Sequence, residues 1–402
     1  MEQFNLYMSK RIAITGMGLV SAIGTNVQEN LLALEQQRSG IGQLQLLATI
    51  HQNFPCGEIK LTNAKLVEEL QVQQEETFTR AALLGVKAAA EALQQAQISA
   101  KHKIAFVNGT SVGGMDYTEK LYQDFSTNPH TTKYIEAQHP GFTSDTIAHH
   151  LGIKGLVTTV STACSSGANA LITGAKLLKA GKVETVLAGG TDCLSKFTLN
   201  GFNSLKILSE QLCQPFDQHR KGLNLGEGAA YLVLETEAKA IAENKTILGY
   251  LEGYGNANDA FHQTASSATG EGSFLAMQAA LNAAHIRPEA ISYINAHGTA
   301  TENNDLSEGI AVQRIFEKQL PKISSTKAFT GHTLAAAGAI EAVFSLLSIQ
   351  EQKIWPNLNF QTQMAALSFS PETKIVSQKI EKVLSNSFGF GGNCSSLLFS
   401  AV

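Results

Sequence analysis

A chain of 402 residues with 44% hydrophobic and 16% charged residues has the make-up of a compact globule and is too apolar for a disordered polymer. Its net charge of -4 supplies no general attraction to nucleic acid or to an anionic membrane, and neither is expected as a partner. The five cysteines (Cys56, Cys164, Cys193, Cys213 and Cys394) are odd in number and lack CxxC spacing, which speaks against a disulfide framework or a structural zinc site and for a reducing cytoplasm.

Residues Met1 to Lys10 are polar and lack the apolar core of a signal peptide, and Met8 is an alternative start to Met1. Short apolar runs at Arg11–Thr15, Lys103–Val107, Leu156–Val160, Thr185–Ala188 and Ala229–Leu234 read as strands. Helical periodicity separates many of them, at Thr79–Gln95 and at Ser166–Ala180, where Gly181 ends the run. The theme then repeats: a strand at Ile247–Glu252, a helix at Phe274–Ala284, and strands at Ile291–Asn295 and near Lys322–Ser325. An Ala-rich helix from Thr333 to Ile349 follows, then strands around Lys382–Leu384 and Ser395–Phe399. That alternation predicts an α/β protein with a largely parallel buried sheet, in two similar halves, 8–247 and 248–402. The Ala-rich segment carries Glu341 and is slightly short for a membrane span, so a buried core helix is expected.

Four segments carry chemistry. Cys164, in Val160-Ser-Thr-Ala-Cys-Ser-Ser-Gly167, sits at a strand-to-helix turn. Helix-start amides there stabilise a thiolate, can lower the thiol pKa and can hold an oxyanion. The plainer reading is a small buried hydrophobe. His297, in Asn295-Ala-His-Gly-Thr-Ala-Thr301, ends a strand, where a crevice-site histidine and a core histidine are both open. Thr299 and Thr301 can bond a polar arm, and Asp305 and Glu308 read as structural or charge-balancing. His332, in Lys327-Ala-Phe-Thr-Gly-His332, runs into the Ala-rich helix; a neutral imidazole at a helix N-terminus is expected, and a capping histidine is the alternative. Glu341 lies where it could pair with Lys327. Asn386-Ser-Phe-Gly-Phe-Gly-Gly392 implies unusual backbone angles; it is no P-loop, and a hairpin turn is the bland reading.

In their order and spacing these segments resemble the β-ketoacyl-acyl-carrier-protein synthases with a Cys-His-His site, over nearly the whole chain from Ile14 to Gly392. Pro215-Phe-Asp-Gln-His-Arg220, Gly226-Glu-Gly-Ala229, Asp259-Ala-Phe-His262 and Gly331-His-Thr-Leu-Ala-Ala-Ala-Gly338 add to the likeness. The resemblance implies a thiolase-like, five-layered α/β/α/β/α fold, usually dimeric. It implies Cys164 as the acyl-accepting nucleophile, with His297 and His332 serving malonyl decarboxylation and the enolate. The amides of Cys164 and Phe390 would form an oxyanion hole, with Phe390 as a gate, and Lys327 and Glu341 would be a supporting pair. Thr264, Thr299 and Thr301 would contact a pantetheine arm, and Val112 and Phe202 would line the acyl chain. No intrinsic cofactor is implied, because the phosphopantetheine arm arrives with the acyl carrier protein. The expected assembly is a homodimer, or a heterodimer with a related ketosynthase-like subunit.

Three rivals follow. A thiolase would place a second catalytic cysteine near the C-terminus, but Cys394 lacks a Cys-x-Gly-Gly context. An initiating synthase would carry asparagine at 332. A non-catalytic chain-length subunit would lack Cys164. Two departures from the family pattern, Gly298-Thr-Ala-Thr-Glu-Asn-Asn-Asp305 and Asn393-Cys394, leave a specialised polyene or polyketide synthase beside the fatty-acid elongation enzyme.

Overall fold

The computed structural model describes residues 11–72, 78–99, 103–124, 127–128, 133–317 and 319–402. The choice between Met1 and Met8 lies outside the described residues. The strands are β1 (Ile12–Val20), β2 (Ala105–Gly109), β3 (Val157–Val160), β4 (Thr185–Asp192), β5 (Gly228–Thr236), β6 (Gly249–Asn258), β7 (Tyr293–Asn295) and β8 (Lys322–Ser324). After these come a small ribbon of β9 (Lys353–Ile354) and β10 (Val376–Ser377), then β11 (Lys382–Phe388) and β12 (Asn393–Ser400).

Ten strands form one sheet in the order β3-β2-β4-β5-β1-β6-β12-β11-β7-β8. Outward from the β1/β6 junction, both wings take two antiparallel steps and then two parallel ones. Among the described residues the two wings pair as strands where Ile12–Ile14 meet Gly249–Leu251. Each wing therefore behaves as a five-stranded sheet of the same topology.

Helices Ser166–Lys179 and Ala337–Glu351 pack against each other between the two wings. Their apolar side chains merge with those of β1, β4, β5, β11 and β12 in one core that includes Leu171, Leu178, Ile340, Phe344 and Trp355. Helix Arg80–Gln95 covers the outside of the first wing, and Glu271–Ala284 covers that of the second, with Glu302–Phe316 beside it. The result is the thiolase-like layering, helix, sheet, helix, sheet, helix. The Ala-rich helix is apolar all round because protein meets it on every side. It is long and apolar enough to cross a membrane by composition, but 89% of that window is buried inside the fold.

Most of the predicted strands are found, with bounds that differ by a few residues. β6 runs six residues past Glu252, and β1 continues five residues past Thr15. Gly16 and Gly18 cause the latter. Helix Arg80–Gln95 lies so close that a Cβ on Gly18 would stand 1.9 Å from the Ala88 carbonyl, and one on Gly16 2.2 Å from that of Ala92. Two glycines in a run look like a turn in sequence, but here they are the flat face of a strand. Gly18→Ala is expected to destabilise the protein by about 3 kcal/mol, the upper end of ordinary overpacking costs. A thermal midpoint equal to that of the wild type would count against this close approach.

Candidate active site

Three strand ends and two central helices converge on one cavity of about 290 Å³. Cys164 follows β3, just ahead of helix Ser166–Lys179. Ala163, immediately before it, adopts φ +52°, a left-handed conformation that turns the chain sharply enough to present the sulfur. His297 follows β7, and His332 lies in a bridge between Leu225 and the turn leading to the Ala-rich helix.

His332 Nε2 lies 3.0 Å from Cys164 Sγ. The rings of His297 and His332 meet edge to face with centroids 5.5 Å apart. One ligand-type atom from each of the three residues falls within 4.8 Å of the others. That spacing also suits a soft metal ion. Lys327 argues against that reading, since its Nζ is 3.2 Å from His297 Nδ1 and would repel a cation.

Lys327 does more than repel. An ammonium has donors only, so His297 Nδ1 must accept and its proton must sit on Nε2. Glu341 holds the same ammonium from the other side, in a buried ion pair. His332 Nδ1 is buried and has no hydrogen-bond partner among the described residues. A bare lone pair is less costly to bury than an N–H, so this ring also carries its proton on Nε2, toward the sulfur. Burial, and then the Lys327 charge, hold both imidazoles well below their ordinary pKa. Each is neutral and a donor.

The neutral state of His332 has a different origin from the one expected. The α-helix begins only at Ala337, after a 3-10 turn at Leu334–Ala336, so His332 stands outside its first turn. The expected amide effect on Cys164 is present but outweighed. The amides of Phe390 and Cys164, with the Lys327 charge, pull the thiol pKa down, but burial outweighs them and pushes it up to about 11. Cys164 rests as a thiol. Its alkylation rate by iodoacetamide is therefore expected to rise roughly tenfold per pH unit from pH 7 toward pH 10, in step with the thiolate fraction. Cys394 also lines the cavity, but its thiol is pushed to about 12, so it should react more slowly. A plateau near pH 8 would contradict the burial account.

The loop bearing His297 is held by acids. Glu308, fully buried and pushed by burial up to about 7, accepts the amides of His297 and Gly298 at 2.9 and 2.8 Å. Asp305 accepts the amides of Ala300 and Phe216. Ala300 is left-handed at φ +68°, a conformation these bonds help to hold. Arg220 donates to the Thr301 carbonyl at 3.0 Å. Phe216 and Arg220, from the Pro215–Arg220 motif, therefore brace this loop. The His332 turn is clamped likewise, its amide donating to Asn224 O and its carbonyl accepting from Gly226.

Thr264, Thr299, Thr301, Phe202 and Phe390 all line the cavity, and the two threonine hydroxyls at 299 and 301 lie 2.9 Å apart. Phe390 sits at the tip of the β11–β12 hairpin and stacks on Phe202, with centroids 5.8 Å apart. Gly389 lets this tip touch the Cys164 turn, since a Cβ there would come 3.1 Å from the Cys164 nitrogen. Lys327 and Glu341 stand behind His297, away from the cavity wall. Val112 is set back from the wall too, in an apolar cluster with Phe202, Leu194, Leu199 and Leu334. His262, from the Asp259-Ala-Phe-His262 segment, stands at the cavity rim, whereas Lys206 and Lys221 beside it and the buried Asp192 behind it are not singled out by the sequence reading. The two lysines carry no local signal, because sequence-distant segments create that rim.

The family model "Beta-ketoacyl synthase, N-terminal domain" matches residues 9–240, and "Beta-ketoacyl synthase, C-terminal domain" matches 248–361. The 3-oxoacyl-(acyl-carrier-protein) synthase 2 of Staphylococcus aureus (strain COL) is 33% identical over 410 residues, covering 97% of this chain and 98% of that protein. Among solved structures, the ishigamide ketosynthase/chain length factor superposes with TM-score 0.91 at 28% identity, over 98% of this chain and 99% of that one. The ketosynthase ApeO in complex with its chain length factor ApeC, from Xenorhabdus doucetiae, gives 0.86 at 31%, over 100% and 99%. The site geometry and these likenesses agree, and the chain belongs to the β-ketoacyl synthase family.

Proposed function

We propose that this protein is a β-ketoacyl-acyl-carrier-protein synthase of fatty-acid elongation, an acyltransferase that joins a cysteine-bound acyl group to a decarboxylating malonyl unit. The observation that carries the reading is a buried thiol 3.0 Å from one neutral imidazole, with a second imidazole edge-on to the first. In the first half-reaction the Cys164 sulfur attacks the carrier thioester. As the new C–S bond forms, the carrier C–S bond breaks and the thiol proton ends on the departing carrier sulfur. The Phe390 and Cys164 amides face the position of the oxyanion. In the second half-reaction malonyl loses carbon dioxide and the thioester enolate forms, with negative charge on its oxygen. Two Nε2–H donors with no charge of their own stabilise that oxygen, and the enolate carbon then attacks the acyl-cysteine and releases the sulfur.

Within this proposal Lys327 and Glu341 fix the His297 tautomer. Thr264, Thr299 and Thr301 guide the phosphopantetheine arm, and Phe390 with Phe202 gates an acyl pocket that Val112 borders. The halves 8–247 and 248–402 act as one body in the cytoplasm, with the acyl carrier protein as partner and a dimer as the working form. Incubating the isolated chain with acyl and malonyl carriers tests this. An acyl-sized mass increment on Cys164 and a β-ketoacyl product are expected; a chain that takes up no acyl group and condenses nothing would be the non-catalytic subunit instead.

A second reading keeps the chemistry and changes the pathway: a ketosynthase of a specialised polyene or polyketide route, paired with a related subunit. Its support is the likeness to two ketosynthases whose structures are titled with chain length factors. Activity that appears only on adding a second ketosynthase-like subunit would decide for it.

A further inference from the structure

One buried carboxylate joins segments behind Cys164 and takes no part in the roles above. Asp192 ends β4 and is fully buried. Its Oδ1 accepts from Thr110 Oγ1 at 2.7 Å and from the amides of Ser111 and Val112 at 3.2 and 3.3 Å. Its Oδ2 accepts from Ser111 Oγ at 2.6 Å, the Ser111 amide at 3.2 Å and the Ala335 amide at 2.9 Å. All these donors are neutral hydroxyls and amides. They fall in two places, the loop after β2 that carries Val112, and the turn three residues past His332.

That turn needs holding. Gly331 and Leu334 both have positive φ, +74° and +53°, and a leucine in that region persists only where its surroundings impose it. Packing allows it little slack, since a Cβ on Gly190, two residues before Asp192, would stand 2.9 Å from the carbonyls of both Ala335 and Gly109. The strand, the loop and the turn are in backbone contact, and the carboxylate pins the two outer pieces to the strand.

We propose that Asp192 is a positioning residue for condensation: it sets the His332 turn, and with it Nε2, against Cys164 Sγ, and ties that turn to the loop bordering the acyl pocket. Only a group that accepts on both oxygens fits. In Asp192→Asn one oxygen becomes an NH2 that faces donors on either side.

The inference rests on the condensing-enzyme reading, and its test runs beside the wild type. For Asp192→Asn, kcat for condensation is expected to fall roughly ten- to a hundredfold, as misplaced catalytic groups do. KM for the malonyl carrier should stay within about threefold, because no carrier contact is lost. Removing a negative charge near the sulfur should also shift the Cys164 alkylation profile to lower pH, while the split between a lowered kcat and a kept KM separates positioning from loss of fold. Asp192→Glu, which keeps both acceptors, should recover part of kcat. Where Asp192→Asn does not fold, Ser111→Ala, at a half-buried side chain, removes the 2.6 Å donor and should lower kcat by roughly threefold. An Asp192→Asn kcat within twofold of wild type, a loss confined to KM, or an unchanged Ser111→Ala kcat in the second case overturns the inference. A wild type that does not condense sinks the functional reading as well; a wild type that condenses beside an equally active variant sinks this inference alone.

Discussion

Replacing His332 by alanine lowers condensation by about a hundred- to a thousandfold, the usual cost of one oxyanion donor, while Cys164 still takes up an acyl group. The asymmetry follows from the geometry. The amides of Phe390 and Cys164 bond toward the Cys164 sulfur, and in the proposed mechanism they hold the acyl-transfer oxyanion; the substitution leaves them in place. The enolate oxygen depends on the two imidazole donors, and one of them is removed. His297→Ala is expected to do the same, because its Nε2 proton is the other donor. Intact-mass spectrometry of the acyl-enzyme, together with release of labelled carbon dioxide from malonyl carrier, separates the two half-reactions. Wild-type decarboxylation in either variant would remove the histidines from the mechanism.

Lys327→Met is expected to damage both stability and activity, and the two losses can be uncoupled. Removing one member of a buried ion pair costs about 3–5 kcal/mol, because Glu341 is left charged in a dry site or must take up a proton. Methionine also frees His297 Nδ1 to carry the proton, so Nε2 can turn from donor to acceptor. The double variant Lys327→Met/Glu341→Gln replaces the charged pair by neutral groups and should recover most of the stability, as such replacements commonly do. It should stay at least roughly tenfold slow in condensation, since the tautomer remains unfixed. A double variant that regains both stability and full turnover would mean that the pair only supports the fold.

Local chemistry made part of this legible in the sequence. Thr79 caps helix Arg80–Gln95 through its side chain, and the apolar spacing after Ser166 is a helix in any context. The strand before Cys164, the glycines around Phe390 and the apolar run past His332 likewise act over a few residues. The predicted elements around the catalytic segments are therefore found, although the helix after His332 begins only at Ala337 rather than at Thr333. Helices Pro140–His150, Lys196–Ser204 and Glu302–Phe316 were not anticipated. The weakly amphipathic runs Pro140–His150 and Glu302–Phe316 become helical mainly through what they pack on, and packing is not written in a single window. Lys196–Ser204 does carry a local signal, the capping box of Ser195 and Thr198.

The sequence by itself determined which side chains are available, a thiol at a strand-to-helix turn and two histidines at the ends of apolar runs, because residue identity and short-range periodicity are local properties. Only the tertiary structure decided their state. Burial overrode the helix-start amides and left Cys164 a thiol, and Lys327 reached across 30 residues to fix the His297 proton. Asp192 acquired its place from donors 80 and 143 residues away. Desolvation and long-range hydrogen bonds depend on what surrounds a group in space, and that environment exists only once the chain has folded.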